Sequence, residues 1–465
     1  MMTIIHHPKP FSSICLRFLK SQSLKSFYHS SSTSRSFLST STTISKETLF
    51  TPSFVSCRSF SSNKTPSPWS NYAMAPPDPI IGLGDAFRAD DFPQKVIVGV
   101  GAYRDDNGKP WVLPCVREAE AILQSKALDH EYSGIGGDPQ FVQLAMKFAY
   151  GDDSLPLQEQ RVGGVQTLSG TGGLRVMGEL LRSHGHTHIY IPNPTWGNHG
   201  PIFRNSGLEV RTYAYYDVAT SSLSFDQLLQ DMSQMPLGSC VLLHACAHNP
   251  TGMDPTLEQW HQISDMCHQR QLLPFFDCAY QGFASGNAPQ DAAAIRLFVE
   301  QGHSLALVQS FSKNFGLYGQ RVGALSVVAS SPDEAKRVES QMKLIIRPMY
   351  SNPPRHGARL VTTILSDPKL TQDFIDQCKG MADRIHTMRS ALHAKLIEAG
   401  SIKNWDHIIQ QIGMFAYSGM SKQEVMVLRE KHHIYCTADG RISMAGVTTG
   451  NVDYIAQAIH DVTKN

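Results

Sequence analysis

Lys313 lies in the run Gln309-Ser310-Phe311-Ser312-Lys313-Asn314-Phe315-Gly316, with Arg321 eight residues later and Asp277 thirty-six residues earlier. These are a primary amine, a permanently charged guanidinium and a carboxylate closing an apolar run. Together they are the groups a pyridoxal-phosphate cofactor would use. The amine can form a Schiff base with the aldehyde, the guanidinium can hold the phosphate, and the carboxylate can keep the ring nitrogen protonated. Lys313 follows an apolar run and is flanked by small residues, so its amine can approach a ring; burial near cations lowers an amine's pKa and frees its lone pair.

Those residues need elements to hold them. Short apolar runs at 189–191, 241–243, 272–276, 305–308 and 324–328 alternate with stretches of helical period, such as 257–267. The pattern predicts an α/β fold whose mainly parallel sheet is covered by helices on both faces. Polar groups follow the runs directly: Pro194-Thr195-Trp196, His248-Asn249-Pro250-Thr251-Gly252, Asp277, and Ser310 to Lys313. Ligands of open α/β sheets bind outside the carboxyl ends of the strands, so this placement predicts a single site. Ser169-Gly170-Thr171-Gly172 precedes the periodic positions Leu174, Met177, Leu180 and Leu181, and should open a helix whose free N–H groups face an anion.

Beyond about residue 380 the pattern turns to long helical segments, 381–397, 422–431 and 452–462. The expected organisation is a leader at 1–62, an arm and the first part of a small domain at 63–110, a large domain at 111–380, and the rest of the small α+β domain at 381–465. Pro76-Pro77-Asp78-Pro79 is stiff and extended, as an arm on another surface would be.

The 465 residues are 41% hydrophobic and 17% charged, which suits a deeply cored enzyme. The net charge of +1 conceals an asymmetry: residues 1–60 carry seven Lys or Arg and one acid, leaving 34 basic and 39 acidic residues in the remainder. No basic face remains for nucleic acid. The leader is roughly one-third Ser and Thr, the composition of an organelle transit peptide, with the mitochondrial matrix favoured and plastid the alternative. No apolar stretch is long enough for a membrane span. Nine scattered cysteines without CxxC read as buried thiols, and twenty histidines without HExxH give no metal site.

From about Trp69 onward the chain resembles aspartate aminotransferases, fold type I pyridoxal-phosphate enzymes. The strings that carry the resemblance are Val100-Gly101-Ala102-Tyr103-Arg104-Asp105, Ser169-Gly170-Thr171-Gly172, Pro194-Thr195-Trp196-Gly197-Asn198-His199 and His248-Asn249-Pro250-Thr251-Gly252. Asp277-Cys278-Ala279-Tyr280-Gln281-Gly282, the Lys313 run, Arg347-Pro348-Met349-Tyr350-Ser351-Asn352-Pro353-Pro354 and Gly440-Arg441-Ile442-Ser443 complete the set. Each is weak alone; eight in one order are specific.

The resemblance implies roles. Lys313, Asp277 and Tyr280 would be catalytic, with His199 supporting Asp277 from behind. Tyr280 and Asn249 would reach the cofactor's phenolic oxygen, and Trp196 would stack on its ring. Ser169, Gly170, Thr171, Ser310 and Arg321 would hold the phosphate. Arg441 would grip the substrate α-carboxylate, with Asn249, Trp196 and Gly101 beside it, and Arg347 would take the distal carboxylate. Arg347 and Tyr132 would cross from the other subunit of a homodimer, Tyr132 touching the phosphate. The implied reaction is ping-pong transamination of L-aspartate and 2-oxoglutarate to oxaloacetate and L-glutamate. An aromatic- or kynurenine-preferring aminotransferase is the nearest alternative. Gly173, Met177-Gly178 and the residues after Tyr132 depart from the family pattern and leave local packing open.

Overall fold

The computed structural model describes residues 66–76, 78 and 81–464. The predicted leader at 1–62 and much of the proline-rich arm lie outside the described residues. The chain divides into two units, 1–73 and 74–465. In the first, a turn sets the Trp69 and Tyr72 rings 5.7 Å apart.

The second unit is organised by a seven-stranded sheet. Its strands are β1 (Val162–Leu168), β2 (His188–Asn193), β3 (Glu209–Ala214), β4 (Cys240–His244), β5 (Leu273–Cys278), β6 (Leu305–Ser310) and β7 (Val322–Val328). Their spatial order is β1-β7-β6-β5-β4-β2-β3. Only β7 runs against the others, pairing antiparallel with both β1 and β6. The five predicted apolar runs all fall within or overlap strands. β1 and β3 were not read from sequence, because Gly163-Gly164 dilutes the first and Glu209 and Arg211 interrupt the second.

Both faces of the sheet are buried, which is why its strands read as continuous apolar runs rather than alternations. On one face Leu242, Phe275 and Val308 pack with Leu174, Leu181, Met342 and Ile346 from helices Ser169–Ser183 and Pro332–Tyr350. On the other, Val241, Leu243 and Phe276 meet Trp260, Ile263 and Phe298. The departures at Gly173 and Gly178 have a packing reason. A Cβ at Gly173 would lie 3.0 Å from Val308 side-chain carbons, and one at Gly178 would lie 2.6 Å from Ser206 Oγ. Both glycines let the Ser169–Ser183 helix approach its neighbours closely.

A 31-residue helix, Pro368–Glu398, runs without a break through residue 380. The early segment returns to the C-terminal part through a parallel pair, Val96–Ile97 beside Ile434–Tyr435. Helices Lys422–His432 and Val452–Thr463 form where periodicity predicts them. The seven described cysteines are buried free thiols. Among the described residues no helix is long and apolar enough to cross a membrane.

Candidate active site

Register decides what meets at the carboxyl edge of the sheet. His244 pairs with Asp277, so two strand ends present an imidazole and a carboxylate side by side. Ser310 closes β6, and Lys313 follows three residues later. Because β7 is antiparallel, its beginning lies where the other strands end, and Arg321, the residue before it, joins the same edge. Ser169 begins a helix directly after β1.

These residues line one cavity of about 450 Å³. Gly101, Ser169, Gly170, Thr171, Trp196, Asn249, Asp277, Tyr280, Ser310, Lys313 and Arg321 all contribute to its wall, so most of the sequence-predicted set is brought together. Arg441 is buried just behind it, donating from Nη1 to Asn249 Oδ1 at 2.9 Å and from Nη2 to the Gly99 carbonyl at 3.2 Å. Tyr132 and Arg347 are not part of this cavity. Both are exposed, Tyr132 at 85% and Arg347 bonded to Ser351 Oγ. The Tyr132 and Arg347 segments are nevertheless tied together: Ser133 donates to the Pro353 carbonyl at 3.1 Å, and Arg355 bonds Asp129 at 3.0 Å.

At one end of the cavity is a nest of hydroxyls. Ser169 Oγ lies 3.0 Å from Ser310 Oγ and 2.9 Å from Ser312 Oγ. No side chain caps the first turn of the Ser169–Ser183 helix, leaving its amides to an external acceptor. Ser169 itself has a left-handed backbone, φ 61°. The space beside it exists because residue 323 is glycine: a Cβ there would lie 2.7 Å from Ser169 Cα.

At the other end, Asp277 Oδ2 is 2.9 Å from His199 Nε2. His199 Nδ1 contacts Thr195 Oγ1 at 2.8 Å, and Thr195 Oγ1 contacts His244 Nε2 at 3.0 Å. The Asn249 N–H donates to His244 Nδ1 at 3.3 Å, and this amide fixes every direction in the chain. His244 accepts at Nδ1 and therefore donates from Nε2 to Thr195. Thr195 has one hydrogen to give, and gives it to His199 Nδ1. His199 then donates from Nε2 to Asp277. Burial pushes His244 down to about 3, so it stays neutral and can play this part.

The charges in the cavity shift one another. Burial alone would raise Asp277, but the hydrogen bond from His199, with Lys313 beside it, holds its carboxyl below the usual value. Lys313 is lowered, by burial first and then by Arg321 and Arg441, with Asp277 opposing them. Its Nζ stands 5.5 Å from the Tyr280 ring centre. Burial raises the Tyr280 hydroxyl, with Arg441 partly offsetting it. The arrangement can therefore present a neutral amine to an electrophile beside a stable carboxylate.

Sequence reasoning missed Thr195, His244, Ser312, Tyr318 and Phe415. Thr195 stood in a quoted string without a role. His244 ends an apolar run as Asp277 does, and that signal could have found it. Tyr318 lines the cavity and its hydroxyl accepts from the Tyr103 amide at 2.8 Å, tying the Gly101 segment to the wall. Nothing local in the sequence announces Phe415.

Residues 93–459 match the family described as aminotransferase class I and II. The chain is 50% identical over 410 residues to a mitochondrial aspartate aminotransferase of Dictyostelium discoideum, covering 88% of this chain and 96% of that one. A solved mitochondrial aspartate aminotransferase from Trypanosoma brucei superposes with a TM-score of 0.80 at 44% identity, over 82% of this chain and all of the other. An aromatic-amino-acid aminotransferase from Burkholderia pseudomallei, covalently bound to pyridoxal phosphate in its crystal, gives 0.83 at 42%, over 85% and 99%. A match of this extent, to a cavity that gathers a lysine, an aspartate and an arginine at the strand ends, makes the chain a member of the class I and II aminotransferases.

Proposed function

We propose that this chain is an aspartate aminotransferase, interconverting L-aspartate and 2-oxoglutarate with oxaloacetate and L-glutamate by a ping-pong route. The observation that carries the reading is the convergence of Lys313, Asp277 and the Ser169–Ser310–Ser312 nest in one cavity, with Arg441 and Asn249 bonded at its side.

The residues present fit pyridoxal phosphate. The uncapped helix and three hydroxyls suit a phosphate, and Gly170 lets the helix start pack beside Ser310, a Cβ there lying 3.4 Å from Ser310 Cβ. Ser169, Gly170, Thr171, Ser310 and Arg321 would hold the phosphate, Trp196 the ring face, and Asn249 and Tyr280 the phenolic oxygen. When bound, the group supplies an aldehyde that takes up the substrate nitrogen and a ring that accepts electrons as the Cα–H bond breaks.

The chain's own groups do the rest. Asp277, kept ionised by the His199 hydrogen bond, holds a proton on the ring nitrogen. Lys313 Nζ, held below its ordinary pKa, would take the proton from the substrate Cα and would deliver it to the cofactor's former aldehyde carbon. Arg441 grips the α-carboxylate, with Asn249 and Gly101 beside it. Arg347 and Tyr132, exposed on their own chain, serve the cavity of a second copy in a homodimer, Arg347 taking the distal carboxylate. The Ser- and Thr-rich leader and the mitochondrial relatives support delivery to the mitochondrial matrix.

The test is an absorption spectrum of the purified protein. A visible band that bleaches toward the near ultraviolet with aspartate and recovers with 2-oxoglutarate is expected. A colourless protein, or a band unmoved by aspartate, would reject the reading.

A further inference from the structure

Arg389 sits in the middle of helix Pro368–Glu398 and is only 1% exposed. Its guanidinium meets no carboxylate among the described residues. It donates instead to three main-chain carbonyls: Ile408 at 3.0 Å, Gly413 at 2.7 Å, and Phe415. Burial without a counter-charge lowers it to about 9. Such a cation is expensive to bury, and nothing in the chemistry above uses it.

What it holds is the turn at 408–415, and that turn touches the site twice. Phe415 presents its ring to Arg441, whose guanidinium carbon stands 4.0 Å from the ring centre. The same ring supports the Gly101 segment, where an added Cβ would come within 3.0 Å of Phe415 Cζ. At the turn's other side Ile412 N–H donates to the Gly252 carbonyl at 2.8 Å. Gly413, at φ +82°, presses so closely that a Cβ there would lie 2.4 Å from Ala247 Cβ. Residues 247 and 252 bracket Asn249, which accepts from Arg441 Nη1. The Phe415 ring against Arg441 thus belongs to the turn that Arg389 pins, and the Asn249 turn, held also by Asp254 and His244, packs directly against it.

We propose that Arg389 is a positioning residue for substrate recognition, acting on Arg441 through the stacked Phe415 ring and the Asn249 turn. The proposal rests on the reading of Arg441 as the group that grips the α-carboxylate. Its three carbonyl bonds use the spread of a guanidinium; a lysine at 389 keeps the charge but has a single head and releases the turn. The stacking face has its own weight, since a desolvated cation–π contact is one of the stronger weak interactions.

The test uses holoenzyme of Arg389→Lys, Phe415→Leu and Arg441→Lys. The readings are KM for aspartate and 2-oxoglutarate, kcat, thermal midpoint, and succinate binding by calorimetry. Succinate has carboxylates but no amine, so it reports recognition without chemistry. Arg389→Lys and Phe415→Leu should each raise both KM values and weaken succinate about tenfold, with a much smaller change in kcat. A purely structural Arg389 would lower the thermal midpoint and leave succinate binding within about twofold; that result, with Arg441→Lys still weakening succinate, overturns the proposal alone. If Arg441→Lys itself leaves succinate binding intact, the carboxylate reading of Arg441 fails first and takes the proposal with it. Should Arg389→Lys not accumulate as holoenzyme, Phe415→Leu decides by the same readings.

Discussion

Arg441 and Asn249, 192 residues apart in the chain, share a 2.9 Å hydrogen bond. The bond joins the C-terminal part of the chain to the turn after β4, and it engages the group proposed to receive the substrate carboxylate. Burial lowers Arg441, and its Nε has no partner among the described residues. A carboxylate arriving here meets a guanidinium already aimed and already stripped of most water, which is the condition for tight, directional recognition.

Removing the aiming group tests this. Asn249→Ala should raise KM for aspartate about tenfold, since a hydrogen bond to a charged group contributes about 1.5–3 kcal/mol. Steady-state kinetics at saturating 2-oxoglutarate would check it; an unchanged KM would show that Arg441 is aimed by other contacts.

The directed chain from Asn249 N–H to Asp277 makes Thr195 a hinge of the electrostatics. Thr195→Val strands His244 Nε2–H and His199 Nδ1 inside the protein, at a cost of about 1–3 kcal/mol. The expected outcome is a lower thermal midpoint and weaker cofactor retention on dialysis. Retention equal to the unaltered protein would mean His199 holds Asp277 unaided.

Lys313 gives a pH prediction. Its amine is held below the ordinary 10.5, with Asp277 the one group pulling it up. The neutral amine is the reactive form, so capture of an aldehyde by cofactor-free protein should rise with pH and level off before pH 10.5. Folding disfavours the charged amine, so its stability penalty is greatest at low pH and fades as pH rises through the unfolded value. Asp277→Asn removes the upward pull and should move the plateau to lower pH. A plateau that moves upward would contradict the arrangement. Borohydride trapping should tag residue 313, and Lys313→Ala should lose the tag and turnover together.

The role proposed for Arg347 predicts a difference between substrate classes. Arg347→Ala in the proposed dimer should cost about 2–5 kcal/mol for dicarboxylates, because a desolvated carboxylate would be left unpaired. Phenylalanine should be affected far less. Equal losses for the two would favour the aromatic alternative.

Gly323 tests the proposed phosphate end. A methyl group there would lie 2.6 Å from the Gln309 carbonyl and 2.7 Å from Ser169 Cα. Gly323→Ala should destabilise by about 1–3 kcal/mol through overpacking and displace the Ser169 turn. Thermal melts and cofactor titration would both register it; tight cofactor binding in that variant would disconnect the turn from the phosphate.

Much of the fold was legible because its cause is local. Strands buried on both faces must be apolar throughout, so β2, β4, β5, β6 and β7 declared themselves as runs, and the polar residues closing them marked the site edge. The Ser169 helix start followed from a small-residue turn ahead of a periodic stretch. β3 was hidden by the alternation of Glu209 and Arg211, and the start of helix Pro368–Glu398 by charged residues such as Lys369 and Asp373 and exposed positions such as Ile375.

The chain's residue order by itself determined which chemistry is possible: an amine, a carboxylate and two arginines in a recognisable series, with the carboxylate closing an apolar run and the amine following one. Only the tertiary structure decided which of them meet. The antiparallel course of β7 brings Arg321 to the strand ends, the β4–β5 register sets His244 beside Asp277, and a turn pinned by Arg389 slides Phe415 beneath Arg441. Those relationships depend on contacts between residues far apart along the chain, where periodicity and composition carry no signal.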